Sequence, residues 1–204
     1  MLQKTRGRPR GFDRDKALLD AIDVFWAKGY DGTSMKDLTE AMGIKAPSLY
    51  ATFGDKHSLY LQAIDRYTSD ESCAPLVAFE SEPDIYKAVE AFMNAVVDYS
   101  TQKDSGTLGC FLSSCVATSA GVVDGAQVRL KQAIKETDIR ISKRFDIEKN
   151  SGQLASDFPS MERARLMFDL RQGLVFRARS GISQQAMKKD IKERAKMVLF
   201  FAGQ

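Results

Sequence analysis

The stretch ALLDAIDVFWAKGYDGTSMKDLTEAMGIKAPSLYATFGDKHSLYLQAI, residues 17–64, decides how the rest of the chain is read. Leu18, Ala21, Ile22 and Phe25 recur at three- and four-residue steps with Trp26 beside them, the period of a helix with one buried face. Asp13 stands where an N-cap is needed and Gly29 where a helix stops. After Asp31-Gly32-Thr33, Ser34 can cap a second helix, and Asp37 three residues on nearly completes a capping box, with Asp in place of Glu. Met35, Leu38 and Met42 are its inward positions, and Gly43 permits a tight turn. A third, short helix is predicted over 46–52, with Pro47 in its first turn, where proline is tolerated, and with Leu49 and Phe53 facing inward. Asp55 then caps a fourth helix carrying Leu59, Leu61, Ala63 and Ile64 as far as Ser72.

Two short helices joined by a glycine turn and carried by longer flanking helices make a helix-turn-helix unit. Its second helix would offer Lys45, Ala46, Pro47, Ser48 and Thr52 to base edges in a major groove; Ala46 and Pro47 allow close approach to thymine methyls. The Tyr50 hydroxyl can donate to a phosphate. At the start of the fourth helix, the Lys56 ammonium and the free N–H groups can share another. Ahead of the unit, residues 1–12 hold four positive charges and no negative one, Arg8 and Arg10 among them. Such an arm can follow a nucleic-acid backbone or enter a minor groove. The plainer alternative is a small helical core with solvated polar groups and a solvated tail.

The whole string resembles the TetR family of transcriptional repressors. The resemblance is carried by the aromatic and Gly-Tyr at the end of helix one, Thr33-Ser34 before helix two, Gly43-Ile44 in the turn, Ser48-Leu49-Tyr50, Phe53 and Asp55-Lys56. It implies a homodimer whose two N-terminal domains bind a palindromic double-stranded operator. By the same resemblance Tyr50, Thr52 and Lys56 match phosphate-contact positions, and Thr33 matches a position near the backbone. One departure stands out: the family often has Ser or Thr where this chain has Lys45, so the third helix lacks its usual cap. The segment GTLGCFLSSC, residues 106–115, looks like the Gly-Cys segment of a subgroup that includes regulators responding to reactive electrophiles, hypochlorite or metals, and GRPRGFDRD, residues 7–15, fits the same subgroup.

Beyond the motif the periodicity stays helical, with segments over 84–101, 108–120, 124–148, 160–180 and 183–201. The expected fold is all-α with about nine helices. It divides into a basic arm at 1–12, the helix-turn-helix domain at 13–54, a connecting helix at 55–72 and an effector-binding and dimerisation domain at 73–204. Phe92, Met93, Val96, Cys110, Phe111, Cys115, Phe145 and Phe168 are candidates to line a pocket for a small, largely apolar effector, with core packing as their plainer role. Leu166, Leu170, Leu174, Val198 and Phe201, on the last two helices, are candidates for a four-helix interface between two copies. Cys110 follows Gly109 near a helix start, a setting that favours a thiolate. A free cysteine among Leu108, Phe111 and Leu112 is also simply a small buried hydrophobe.

Composition bounds the alternatives. With 30 Lys+Arg against 27 Asp+Glu the net charge is +3, too small for a polybasic protein though compatible with one basic face. Three cysteines, an odd count, argue against a disulfide scaffold and for the cytoplasm, and the basic N-terminus lacks the apolar stretch of a secretory signal. No apolar run approaches a bilayer span. A single histidine, His57, and the absence of a phosphate-binding glycine loop, HExxH, a CxxC pair or a nucleophile elbow exclude the familiar catalytic sites, and neither cofactor nor metal is expected. The leading expectation is a ligand-released repressor. A repressor sensing redox or electrophiles through Cys110, and a DNA-binding activator without a small-molecule ligand, are the alternatives.

Overall fold

A computed structural model describes residues 12–69, 73–102 and 107–200. Among them the regular structure is entirely helical, in two compact units, 1–67 and 68–204.

The N-terminal unit has four helices: α1 (Arg14–Gly32), α2 (Met35–Ala41), α3 (Ala46–Phe53) and α4 (Lys56–Thr68). Asp13 caps α1 by accepting from the N–H groups of Asp15 and Lys16 at 2.9 and 3.2 Å. The regular path of α1 breaks at Gly29, which has φ +74°, and one further turn follows to Gly32. Ser34 and Asp37 form the full reciprocal box on α2: the Asp37 N–H donates to the Ser34 hydroxyl at 3.1 Å, and the Ser34 N–H to the Asp37 carboxylate at 2.9 Å. Gly43 takes φ +63° between α2 and α3, a left-handed conformation that a side chain disfavours. Leu18, Phe25, Trp26, Leu38, Leu49, Phe53, Leu59, Tyr60 and Ile64 make the core. Tyr60 lies 4.8 Å from Phe25 and 4.9 Å from Tyr30, centroid to centroid. Across the α1–α4 contact, Arg66 forks onto Asp15 at 2.6 and 3.1 Å, and Arg14 donates to Gln62 at 2.6 Å.

The C-terminal unit comprises α5 (Ala74–Ser81), α6 (Ile85–Thr101), a π-wound turn (Leu112–Val116) running into α7 (Ala117–Ser119), α8 (Ala126–Asn150), α9 (Ser160–Arg179), α10 (Gln184–Lys188) and α11 (Ile191–Leu199). Two differences from the sequence reading raise the helix number above nine among the described residues: α5 is an additional helix, and the last helix is broken at Lys189-Asp190. The segment over 108–120 is partly π-wound, which leaves the number unchanged. Asp84 caps α6 on the N–H groups of Tyr86 and Lys87, and the face expected from the sequence (Ile85, Val89, Phe92, Met93, Val96, Val97) is buried throughout. Phe79, Phe92, Phe145 and Phe158 pack edge to face down the centre of this unit. The Arg144 guanidinium donates to the carbonyls of Phe79, Glu80, Glu82 and Pro83 at 2.9–3.3 Å and pairs with Glu148 at 2.6 Å. It thereby satisfies carbonyls at the end of α5 that no helix bond reaches.

Candidate nucleic-acid interface

The outer row of α3 begins at its N-cap. Lys45, Ala46, Pro47, Ser48 and Tyr50 are exposed, Tyr50 at 52% of its full area, while Leu49 and Phe53 seal the helix onto the core. Thr52 is half-buried. Lys45 makes no side-chain cap, so the first N–H groups of α3 carry no side-chain partner from the cap position. A helix held by two apolar anchors, with small or polar groups outward and a cation at its positive end, has the form of a groove-reading element. Arg8 and Arg10 lie outside the described residues.

The neighbouring helix starts behave differently from the sequence reading. Thr33, expected near a nucleic-acid backbone, is buried, and its hydroxyl donates to the Gly29 carbonyl at 2.6 Å. That hydroxyl closes the extra turn of α1 and is not presented outward. Ser34 is exposed, but its hydroxyl is engaged with Asp37, donating to the carboxylate at 2.7 Å as well as accepting the cap bond. The Lys56 ammonium donates to the Thr33 carbonyl at 2.9 Å and sits 4.4 Å from the centre of the Tyr30 ring. Lys56 therefore joins the end of α1 to the start of α4, with two of its three donors left over. Sequence reasoning missed this clamp; the Gly-Tyr pair and Lys56 were each visible, but nothing in their spacing pairs them.

Electrostatics hold the same region in place. The Lys28 ammonium at 2.5 Å, followed by the hydroxyl and N–H of Ser34, keeps the Asp37 carboxyl far below the usual carboxylate range. Asp55 accepts from the Ser58 N–H at 2.7 Å, and that bond with the Ser58 hydroxyl lowers its pKa too. Burial pushes the Tyr30 phenol up, with Asp55 and Asp31 adding to the effect.

In the C-terminal unit a cavity is lined by Cys73, Pro75, Leu76, Phe92, Leu112, Leu130, Ala133, Ile134, Thr137, Phe168, Arg171 and Gln172. Of the expected lining residues it includes Phe92 and Phe168. Met93, Val96, Cys110, Phe111, Cys115 and Phe145 are instead packed in the core, each at most 1% exposed. The cavity's volume is about 40 Å³, room for about three waters. The Arg171 guanidinium donates to Cys110 Sγ at 3.4 Å and to Gln172 Oε1 at 3.2 Å, with its centre 5.6 Å from that of the Phe168 ring. Burial raises the pKa of the Cys73 thiol although Arg171 opposes the shift. Of the residues expected at a dimer face, Leu174 and Val198 are fully buried within the unit because they point into its core. Leu166 and Leu170 are half-buried, and Phe201 lies outside the described residues. The apolar side chains that α9 and the end of α11 do present are Phe176, Met197 and Phe200, at 75%, 65% and 71% exposure. No described helix is long and apolar enough to cross a membrane, and no group of three or more potential metal ligands occurs among the described residues.

Comparison with known proteins agrees with this geometry. The family model for bacterial regulatory proteins of the tetR family matches residues 18–63, the segment that forms α1 through α4. The HTH-type transcriptional repressor ComR of Escherichia coli (strain K12) is 34% identical over 191 residues, spanning 91% of this chain and 89% of that protein. The HTH-type transcriptional repressor BdcR of the same strain is 34% identical over 108 residues, 52% of this chain and 53% of its own length. Among solved structures, a cysteine mutant of the TetR family transcriptional regulator CifR, complexed with 26-base-pair double-strand operator DNA, superposes with a TM-score of 0.79. Its sequence identity is 29%, with 93% of this chain and 98% of that chain covered.

Proposed function

The chain belongs to the TetR family of bacterial regulatory proteins, DNA-binding transcriptional regulators and not enzymes, and from that premise we propose that it is a homodimeric repressor released from a palindromic operator by a small molecule. The observation that carries the DNA-reading part is the outer row of α3, where Lys45, Ala46, Pro47, Ser48 and Tyr50 stand exposed on a helix anchored by Leu49 and Phe53. CifR, the structural neighbour held on operator DNA, supports it. Lys45 and Ser48 read base edges; Tyr50, Thr52 and the free donors of Lys56 take phosphates, and the arm with Arg8 and Arg10 adds charge. Two copies join through α9 and α11, whose exposed Phe176, Met197 and Phe200 extend the partly covered Leu166 and Leu170 into a stripe suited to an isologous four-helix contact. The effector enters the cavity beside Phe92 and Phe168. It lowers operator affinity by favouring a DNA-incompetent state, with coupling of about 5–150-fold typical of such systems. The protein acts in the cytoplasm, where its DNA is.

A second reading has one observation in its favour. The Arg171 guanidinium reaches Cys110 Sγ at 3.4 Å, which sets a cation beside the thiol that a redox- or electrophile-sensing reading would use. Cys110 is fully buried, which favours the non-covalent effector.

The test is operator affinity as a function of salt. Lys56→Ala should weaken binding to all sequences alike and flatten the salt dependence by about one phosphate unit. Lys45→Ala should change which sequence is preferred. A Lys56→Ala protein with altered sequence preference, or a species of only 22.7 kDa in sedimentation at micromolar concentration, contradicts this assignment.

A further inference from the structure

The cavity wall is chemically uneven. Leu76, Phe92, Leu112, Leu130, Ile134 and Phe168 make most of it apolar, while Arg171 and Gln172 stand side by side on α9. No acidic side chain lines it among the described residues. The guanidinium is held near the Phe168 ring and turns one N–H to Cys110 Sγ, a weak acceptor, at 3.4 Å. Gln172 is oriented as well: its Oε1 accepts from the Ser113 hydroxyl at 2.7 Å and from Arg171 at 3.2 Å, which leaves its amide NH₂ as a donor.

We propose that this cavity is the receptor for a small carboxylic acid, its carboxylate docked on Arg171 and the Gln172 amide and its short apolar body lying along Phe92, Leu112 and Phe168. The proposal rests on the effector reading given above and names the chemical class of that effector. A planar guanidinium fork matches a carboxylate, and a charge-assisted N–H···O bond is roughly twice as strong as a neutral one. A carboxylate therefore displaces the thiol sulfur as the acceptor. Without ligand the cavity has room for about three waters, so the acid must open it. Leu112, Leu130, Ile134 and Phe168 are only half-buried, so these are the wall side chains the acid would have to move. Loss of the Arg171 contact alters the surroundings of Cys110, whose carbonyl accepts from the Ser114 N–H at 2.9 Å and so leads into the π-wound turn. Ligand occupancy is thereby read out as a change in that turn.

Calorimetry on the DNA-free protein tests the assignment, with the straight-chain acids from butanoate to decanoate and with benzoate as probes, and octanamide as the neutral counterpart of octanoate. Octanoate should bind at least tenfold more tightly than octanamide. Arg171→Met should erase that preference by weakening octanoate at least tenfold more than it weakens octanamide, and Arg171→Lys should retain part of it; thermal melting of each variant establishes that it is folded. No heat with any of these acids, equal affinity for acid and amide in the parent protein, or an intact preference in folded Arg171→Met overturns the proposal. Operator release is measured separately on the protein–DNA complex. Acid binding without release leaves the receptor standing and overturns the effector reading instead.

Discussion

The two units tie down their polar groups in different ways. In the N-terminal unit the ties are spread over several junctions: the Ser34–Asp37 box on α2, Lys28 on Asp37, Arg66 on Asp15, and Lys56 on the Thr33 carbonyl. In the C-terminal unit one side chain, Arg144, holds four carbonyls and a carboxylate at the α5–α6 junction, while Arg171 borders a void. A unit that presents side chains to bases needs fixed positions, because small displacements lose directional hydrogen bonds. A unit that admits a ligand needs slack at the place where the ligand enters.

The sharpest way to break this comparison is to truncate an aromatic in each unit. Phe25→Ala, in the fully buried N-terminal cluster, should cost about 3–5 kcal/mol, whereas Phe168→Ala, half-exposed beside a void, should cost about 1–2 kcal/mol. Urea unfolding of both variants measures the difference, and equal costs mean that the cavity wall is as tightly packed as the DNA-reading core. Next in size, Arg144→Met strands Glu148 and four carbonyls at once and should cost about 3 kcal/mol, localised by faster hydrogen exchange at the end of α5. Exchange unchanged there dismisses Arg144 as the tie. Ser34→Ala should cost about 1 kcal/mol, the usual worth of an N-cap, and should lower operator affinity through the placement of α2.

The smallest effect depends on pH. Asp37 is more acidic in the folded chain than in an unfolded one, chiefly because of Lys28 and then Ser34. Its stabilising contribution is complete above the unfolded value of about 3.9 and is lost as pH falls from there through the lower folded value. Denaturation midpoints of the parent and Asp37→Asn should therefore differ most at pH 6 and by less at pH 3. A gap of constant size across that range removes Asp37 as a source of acid sensitivity.

What the sequence discloses is what it encodes locally. Asp13, Ser34, Asp55 and Asp84 act on N–H groups two or three residues away, and the buried face of α6 repeats with the helical period, so each can be read without knowing the fold. Helix α5 is not legible in the sequence, because eight residues beginning Ala-Pro-Leu-Val show too little period. Leu174 reads as an outer-face residue because α9 also carries Leu166, Met167 and Phe176 at other angles, and periodicity alone cannot choose which of them faces the core. In the cavity the difficulty was the reverse. Met93, Val96, Phe111 and Phe145 have the same apolar character as a pocket wall and differ only in having neighbours on every side. Nothing in the local sequence singles out Arg171 and Gln172; only the packing of α5, α6 and α8 brings them to the cavity.

The π-wound turn at Leu112–Val116 has a consequence for how this chain can vary. Such a turn closes its hydrogen bonds one residue farther along than an α-helix does, which amounts to one residue inserted without breaking the helix. Deleting a single residue within it restores ordinary pitch and turns everything from Ala117 to Ser119 back by one residue's share of a turn, roughly 100°. Ser119, now buried, would be rotated off its present face, and the loop to α8 would begin from a different direction. The segment between Gly109 and Gly121 should therefore tolerate substitutions far better than changes of length.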